Sequence, residues 1–247
     1  MDGARAVGAA GEPVAAVSGA GLSVAVAEKR FGEAAVLGDV AFDLAPGERA
    51  ALLGPSGVGK STLLGLVAGL DRGFRGRIDR PEGHVAMIFQ TPRLLPWRTL
   101  AENVALVPDC GGEARARALL AEVGLGEAAD AYPEKASLGM QRRAALARAL
   151  AVSPSLMLMD EPLVSLDPDS ARAMRGLVTR ALDASGAAAL IATHDRREAL
   201  ALCDRVLELG GRPARLVRDR RSPLSRPERA DPRAVDRVVA EWFPAAA

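Results

Sequence analysis

The 247-residue sequence predicts an α/β domain whose mainly parallel sheet is flanked by helices. Apolar runs without polar alternation, such as residues 156–159 (LMLM) and 187–193 (AAALIAT), are typical of strands buried on both faces. Helical segments alternate with these runs, which indicates parallel strands joined by crossovers. The hydrophobic fraction of 49% is enough for one large buried core.

The individual strands and helices follow from the pattern along the chain. Residues 22–44 alternate in part and suit strands, which would form an N-terminal antiparallel β portion. Residues 46–48 (PGE) read as a turn, and the short apolar run at 49–54 leads into a helix at about residues 59–70. Further strands are predicted at 85–89, 156–159, 187–193 and 206–209, and further helices at 113–123 and 140–151.

The composition divides the chain into three parts. Residues 1–20 are rich in Ala and Gly without a sustained apolar core, which predicts a disordered extension rather than a signal peptide. One domain is expected over residues 21–215, and a short tail over residues 216–247 carries an amphipathic stretch at 232–243. No apolar run reaches the ~20 residues of a membrane span, so a membrane role would require a partner.

Charge and cysteine content argue against two further classes of function. The formal net charge is +1, so there is no basic excess to neutralise phosphates, and no nucleic-acid partner is expected. The two cysteines, Cys110 and Cys203, lie far apart in the sequence and form no CxxC pattern. A disulfide framework or a zinc site is therefore not expected.

A glycine-rich segment between an apolar run and a helix fits the phosphate-binding pattern G-x-x-x-x-G-K-[ST]. Glycines let the backbone approach a phosphate, and the helix N-terminus presents positive potential to the anion. Lys60 is expected to reach the outer phosphates, and the Ser61 hydroxyl to ligate Mg²⁺. A chance lysine after a turn is the alternative, although lysine is scarce in this chain. The predicted ATP-binding residues of this loop are Gly54, Pro55, Ser56, Gly57, Val58, Gly59, Lys60, Ser61 and Thr62.

Polar residues follow two of the predicted strands. Asp160 and Glu161 come directly after the LMLM run, at the carboxyl edge of the sheet where ligands bind in open α/β folds. Asp160 is expected to hold Mg²⁺, and Glu161 to orient or deprotonate the attacking water. His194 follows the AAALIAT run in the same way and is expected to contact the γ-phosphate and the water. An acidic turn and a polar histidine cap are the alternative interpretations.

These motifs together resemble the ATP-binding cassette (ABC) transporter family over about residues 22–209. The resemblance implies a P-loop NTPase-type fold with a helical signature subdomain at about residues 91–152. It implies ATP and Mg²⁺ as ligands, a D-loop at residues 165–167, and an adenine-stacking role for Phe31. The implied catalytic residues are Glu161, His194 and Gln90, and the implied metal ligands are Ser61, Gln90 and Asp160.

One motif departs from the family pattern. The family signature, LSGGQ or a near variant, stands here as ASLGM, with Ala136 and Leu138 in place of the leucine and the first glycine. Ser137 remains as a helix N-cap and Gly139 remains, so the resemblance implies that both contact ATP held by the opposite subunit. Leucine keeps the N–H donor but disfavours positive φ. The loop is therefore either reshaped to accept leucine or impaired in closure.

A second segment resembles a subgroup of the family. Residues 93–103 (RLLPWRTLAEN) are similar to the stretch after the Q-loop glutamine in nitrate, sulfonate and taurine importers. Trp97 beside Pro96 would offer an aromatic surface to a helix of a membrane subunit, and a core tryptophan is the alternative. The resemblance implies a peripheral ATPase on the cytoplasmic face of the inner or plasma membrane. Its implied partners are permease subunits, a second copy or a paralogous ATPase subunit, and indirectly a periplasmic or lipoprotein solute-binding protein.

Two other functions compete with an importer motor. A soluble, non-transport ABC ATPase acting on ribosomes or nucleic acid usually carries two cassettes, coiled coils or basic arms, whereas this sequence shows one cassette and near-neutral charge. A P-loop small-molecule kinase would not need Ser137, Glu161 and His194 together. The sequence therefore favours the importer motor over both alternatives.

Overall fold

A computed structural model describes residues 21–108 and 110–244, and the extension predicted at residues 1–20 lies outside them. None of the described helices is long and apolar enough to cross a lipid bilayer. The described strands are β1 (Leu22–Phe31), β2 (Ala34–Leu44), β3 (Arg49–Leu53), β4 (Phe74–Asp79), β5 (Val85–Ile88), β6 (Leu156–Asp160), β7 (Ala188–Thr193), β8 (Arg205–Gly210) and β9 (Arg215–Arg221). The described α-helices are α1 (Lys60–Val67), α2 (Leu100–Ala105), α3 (Glu113–Glu122), α4 (Leu138–Leu150), α5 (Pro168–Ser185), α6 (Arg196–Leu202) and α7 (Pro232–Trp242).

The strands form two sheets. Strand β1 lies between β2 and β4 in a three-stranded antiparallel sheet. The larger sheet has the order β5-β6-β7-β3-β8-β9, and only β9 runs antiparallel to its neighbour. The predicted fold class, a P-loop NTPase-type mainly parallel sheet flanked by helices with an N-terminal antiparallel β portion, is confirmed.

Alternate residues of β6 face opposite sides of the larger sheet, as the period of a strand requires. Met157 and Met159 belong to the apolar cluster that the helices α2 to α7 share with one face of the sheet. Leu156 and Leu158 belong to the cluster on the other face, with α1 and the antiparallel sheet. All four side chains are fully buried, which explains why this strand appears in the sequence as an uninterrupted apolar run.

Helices α2, α3 and α4 pack against one another within the predicted helical subdomain. A capping box starts α2, because the Thr99 hydroxyl accepts from the Glu102 N–H and the Glu102 carboxylate accepts from the Thr99 N–H. Helix α4 begins at Leu138, two residues before its predicted start, because the Ser137 hydroxyl accepts the Met140 N–H. The N-cap predicted at Ser137 is therefore present.

The structure also contains elements that the sequence patterns did not predict, and α5 is the longest of them. The Asp167 carboxylate accepts two N–H groups of the first turn of α5, and Pro168 occupies that turn. Strand β9 continues the larger sheet past residue 215, where the domain was expected to end. Most β9 side chains are exposed and polar, so this edge strand carries no apolar signal. Helix α7, by contrast, coincides with the amphipathic stretch predicted at residues 232–243, and it packs on α6.

Candidate nucleotide site

The loop between β3 and α1 has the shape of a phosphate cradle, and that shape depends on glycine. Gly57 and Gly59 have φ angles of +77° and +116°, which residues with a Cβ rarely adopt. A Cβ added at Gly59 would lie 2.8 Å from Leu37 Cδ2, and one added at Gly54 would lie 2.9 Å from the Leu209 carbonyl oxygen. The first N–H groups of α1 have no partner within the helix, so the loop presents donors to an anion.

Lys60 is the buried cation of this cradle. Its side chain is 5% exposed, and its Nζ donates to the carbonyl oxygens of Gly54 at 2.8 Å and Pro55 at 3.1 Å. The same Nζ lies 3.7 Å from Glu161 Oε1. The lysine charge is therefore held between the phosphate-binding loop and the carboxylate predicted to act on water.

Asp160 and Ser61 form the part of the site that fits Mg²⁺. Asp160 is the last residue of β6 and is largely buried. Burial raises the pKa of the Asp160 carboxyl, and a hydrogen bond from the Ser61 side chain opposes this rise. A carboxylate next to a hydroxyl supplies the oxygen ligands that Mg²⁺ prefers. Ser61 and Asp160 therefore have the chemistry and the proximity that their predicted role as magnesium ligands requires.

Glu161 is the point at which the predicted catalytic residues meet. Its Oε1 lies 3.1 Å from His194 Nδ1, and Gln90 Nε2 donates to its Oε2 at 3.4 Å. Its φ of +48° is unusual for a residue with a side chain, and its N–H donates to the Ala192 carbonyl oxygen on the neighbouring strand. The anchored and strained backbone directs the carboxylate toward Gln90, Lys60 and His194, which is typical of a functional site.

A groove of about 570 Å³ opens beside this cluster. Glu161 and His194 line it, together with Ser165 and Leu166 of the predicted D-loop. Ser165 has a φ of +58°, so the chain turns sharply between β6 and α5. The predicted D-loop and His194 therefore line the same opening at the sheet edge.

Three other predicted ATP-binding residues lie apart from this cluster. Phe31 is 54% exposed at the end of β1, and its ring contact among the described residues is with Lys29 Nζ at 4.4 Å. Ser137 and Gly139 lie at the start of α4, where the Ser137 hydroxyl caps the helix instead of contacting the cradle. The structure therefore brings together the cradle, Asp160, Glu161, Gln90 and His194, and leaves Phe31, Ser137 and Gly139 open to solvent or to a partner.

The sequence patterns did not identify the residues that hold the segments next to this site through hydrogen bonds. Arg148 of α4 donates to the carbonyl oxygens of Pro92 at 2.9 Å and Arg93 at 2.8 Å, and so anchors the segment that follows Gln90. Glu198 of α6 is buried and accepts a hydrogen bond from the Thr193 hydroxyl at 2.6 Å. For Arg148 and Glu198, the sequence signal is a charged residue on the inward face of a helix. This signal could not be used for Glu198, because helix α6 was not predicted.

Residues 37–164 match the family model described as ABC transporter. The chain belongs to this family. This ABC protein is accordingly an ATP-binding subunit that hydrolyses ATP, which confirms the predicted enzyme class.

Relatives of this ABC protein are named as importer subunits. It is 42% identical over 214 residues to the aliphatic sulfonates import ATP-binding protein SsuB 1 of Pseudomonas savastanoi pv. phaseolicola, covering 82% of this chain and 90% of the relative. It is 40% identical over 225 residues to the SsuB 1 protein of Xanthomonas axonopodis pv. citri, covering 85% and 89%. These matches confirm the resemblance to the nitrate, sulfonate and taurine importer subgroup.

A solved structure supports the fold. The dimeric ATP-binding cassette MJ0796, in a post-hydrolysis state bound to ADP and Pi, matches with a TM-score of 0.70 at 26% identity. The match covers 83% of this chain and 99% of that chain. The ABC fold seen here is therefore one that is known with hydrolysis products bound.

Replacing Lys60 with alanine should weaken ATP binding by about 1.5–3 kcal/mol, because the phosphates lose a charge-assisted hydrogen-bond partner. Titration calorimetry on the purified ABC protein measures the difference. Lys135→Ala is the matched control, since Lys135 is exposed in a short 3₁₀ helix outside the cradle. Equal ATP affinities for the two variants would contradict the role of Lys60.

Proposed function

We propose that this ABC ATPase powers a membrane importer for nitrate-, sulfonate- or taurine-like small solutes, with aliphatic sulfonates as the first candidates. The observation that carries the proposal is Trp97, which is 69% exposed. It lies on the segment that follows Gln90 and that Arg148 anchors at Pro92 and Arg93. A large exposed aromatic side chain on a segment that adjoins the nucleotide site is suited to packing against a helix of a permease. The names of the relatives support the choice of solute.

Co-purification with a permease tests this function. In proteoliposomes that contain the permease and a solute-binding protein, aliphatic sulfonates should stimulate ATP hydrolysis by this subunit. We place the subunit on the cytoplasmic face of the membrane, where ATP is available and where the permease would hold it. A chain that hydrolyses ATP but associates with no multi-span membrane protein would contradict the importer assignment.

The site geometry supports a hydrolysis step based on Glu161. The carboxylate accepts a proton from the attacking water while the water oxygen bonds to the γ-phosphorus, and the bond to ADP breaks to release ADP and phosphate. His194 Nδ1, at 3.1 Å, holds the carboxylate in place and lies near the same opening. Lys60 offsets the negative charge of the phosphates. Ser61, Asp160 and Gln90 would hold Mg²⁺, whose charge would further neutralise the phosphates.

The positions of Ser137 and Gly139 support a site shared between two copies. Both residues lie at the exposed start of α4, and neither contacts the cradle of its own chain among the described residues. We propose a head-to-tail dimer in which each ATP contacts the cradle of one copy and Ser137 of the other. The dimeric state of the solved relative agrees with this arrangement. ATPase activity per subunit should therefore fall when the soluble protein is diluted.

Glu161→Gln should bind ATP normally but hydrolyse it about 10²-fold or more slowly, because glutamine cannot accept the proton of the water. The ATP-bound dimer should then accumulate, which size-exclusion chromatography with ATP will show. Glu127→Gln changes an exposed carboxylate of the helical subdomain and serves as the control. Normal turnover of Glu161→Gln would rule out Glu161 as the base.

Trp97→Ala should leave the ATPase activity of the soluble protein nearly intact while weakening its assembly with the permease. We expect this result because the Trp97 residue is 69% exposed, which excludes the alternative that Trp97 belongs to the core. Pull-down with the permease and thermal unfolding of the subunit are the measurements. Tyr132→Ala removes another exposed aromatic of the same region and is the control. Equal permease binding by both variants would contradict the docking role.

Leu138→Gly should change the turnover of the assembled transporter by less than about tenfold, or ~1.4 kcal/mol in the barrier. Leu138 is the first residue of α4 and is not among the residues with positive φ, so leucine fits this backbone without strain. Leu138→Ala separates loss of the side chain from gain of backbone freedom. A hundredfold increase in turnover would show that leucine impairs closure, the other alternative left open by the sequence.

A further inference from the structure

Arg142 is a buried cation in the second turn of α4, on the helix that Ser137 caps. Its residue exposure is 4%. Its Nη1 donates to the carbonyl oxygen of Val164, which precedes Ser165 in the D-loop and lies three residues after Glu161. This hydrogen bond joins the helix that carries the signature residues to the turn that follows the catalytic carboxylate.

Glu198 is a buried anion on α6, and it makes the matching connection to the switch histidine. The Thr193 hydroxyl donates to Glu198 Oε2 at 2.6 Å, and the same hydroxyl oxygen accepts the Asp195 N–H at 3.0 Å. Thr193 and Asp195 flank His194 in the sequence. The backbone on both sides of the histidine is therefore tied to one carboxylate that is 7% exposed.

The two buried charges lie within electrostatic reach of each other. Burial lowers the pKa of the Arg142 guanidinium, and the charge of Glu198 opposes that shift. Each side chain also keeps one buried polar atom without a hydrogen-bond partner among the described residues, Arg142 Nε and Glu198 Oε1. A deeply buried charge is costly without compensation, and the attraction between Arg142 and Glu198, which are opposite in sign, offsets part of that cost.

We infer that Arg142 and Glu198 act together as positioning residues, which hold the D-loop and the switch-histidine loop in a fixed relation to the signature helix. When Ser137 of one copy contacts ATP bound to the other copy, these two residues would align Glu161 and His194 of the copy that contains Ser137. This inference rests on the roles proposed above for Ser137, Glu161 and His194. It adds a physical connection between the two nucleotide sites of a dimer.

The charge on Glu198 is sensitive to pH near neutrality. Burial raises the pKa of the Glu198 carboxyl to about 7, and the Thr193 hydrogen bond opposes the rise. The charges of Asp195 and Glu161 raise this pKa further, and that of His194 lowers it. The charge of Glu198 in turn raises the pKa of Arg142 on α4, against the effect of burial. The ionised form, which attracts Arg142, is therefore gained as pH increases through about 7.

Arg142→Gln should lower kcat for ATP by about tenfold and leave KM nearly unchanged, because misplacement of catalytic groups slows the chemical step while the cradle is intact. Arg143→Gln is the matched control. Arg143 is the next residue of α4, but it donates to the carbonyl oxygens of Val123 and Gly124, away from the catalytic loops. Arg142→Lys, which keeps the charge, should recover part of the lost kcat.

Glu198→Gln tests the same connection if Arg142→Gln does not fold. Glutamine can still accept the Thr193 hydroxyl, so the variant should fold and bind ATP with an unchanged KM. The kcat of the native protein, relative to that of Glu198→Gln, should rise between pH of about 6 and about 8, as the carboxylate of the native protein ionises.

Three results would overturn the inference. The first is a kcat for Arg142→Gln equal to that of Arg143→Gln, and the second is a kcat ratio between the native protein and Glu198→Gln that does not depend on pH. A rise in KM together with a lowered melting temperature would show a purely structural role, which also excludes it. Glu161→Gln is run in parallel, because normal turnover of that variant refutes the proposed base and leaves the Arg142 comparison readable.

Discussion

The contact between Lys60 and Glu161 is the interaction on which the rest of the site depends. Their charged atoms lie 3.7 Å apart, and both side chains are largely buried. Buried charges are costly without partners, so Lys60 of the cradle and Glu161, the proposed catalytic carboxylate, stabilise each other before any nucleotide binds. The Lys60 Nζ also donates to two carbonyl oxygens of the cradle. When ATP binds, its phosphates can take over part of this pairing, which would leave Glu161 available to water.

The register of the larger sheet creates this contact. Strands β3, β6 and β7 are parallel neighbours, with Leu53 opposite Thr193 and Asp160 opposite Ala192. The cradle, the carboxylates of Asp160 and Glu161, and His194 therefore lie at one edge of the sheet and at nearly one level. The two apolar clusters fix that register, because slipping a strand by one residue would exchange the side chains that face them.

The sequence was most informative where a motif joins a strand to a loop. The cradle, Asp160, Glu161 and His194 were predicted because a buried strand precedes each one and the residue types serve one chemistry. Helix α5 and strand β9 were missed, since α5 follows the D-loop without a strong apolar run and β9 is an exposed edge. Arg142 and Glu198 were missed for a different reason. A charged residue on the inward face of a helix indicates that each is buried, but each one's hydrogen-bond partner, Val164 or Thr193, lies on another element and is not identified by any local pattern.

Helix α4 explains how an altered signature can coexist with an otherwise complete site. Three of its arginines each donate to the backbone of a different segment: Arg142 to the D-loop side, Arg143 to the end of α3, and Arg148 to the segment after Gln90. The backbone strain of the site lies instead at Glu161 and Ser165, whose φ angles are positive. Movement of α4 would therefore be transmitted to those strained residues through hydrogen bonds that do not involve Gly139, the remaining signature glycine. A leucine in the first turn of α4 changes the surface offered to the other copy but leaves these connections intact.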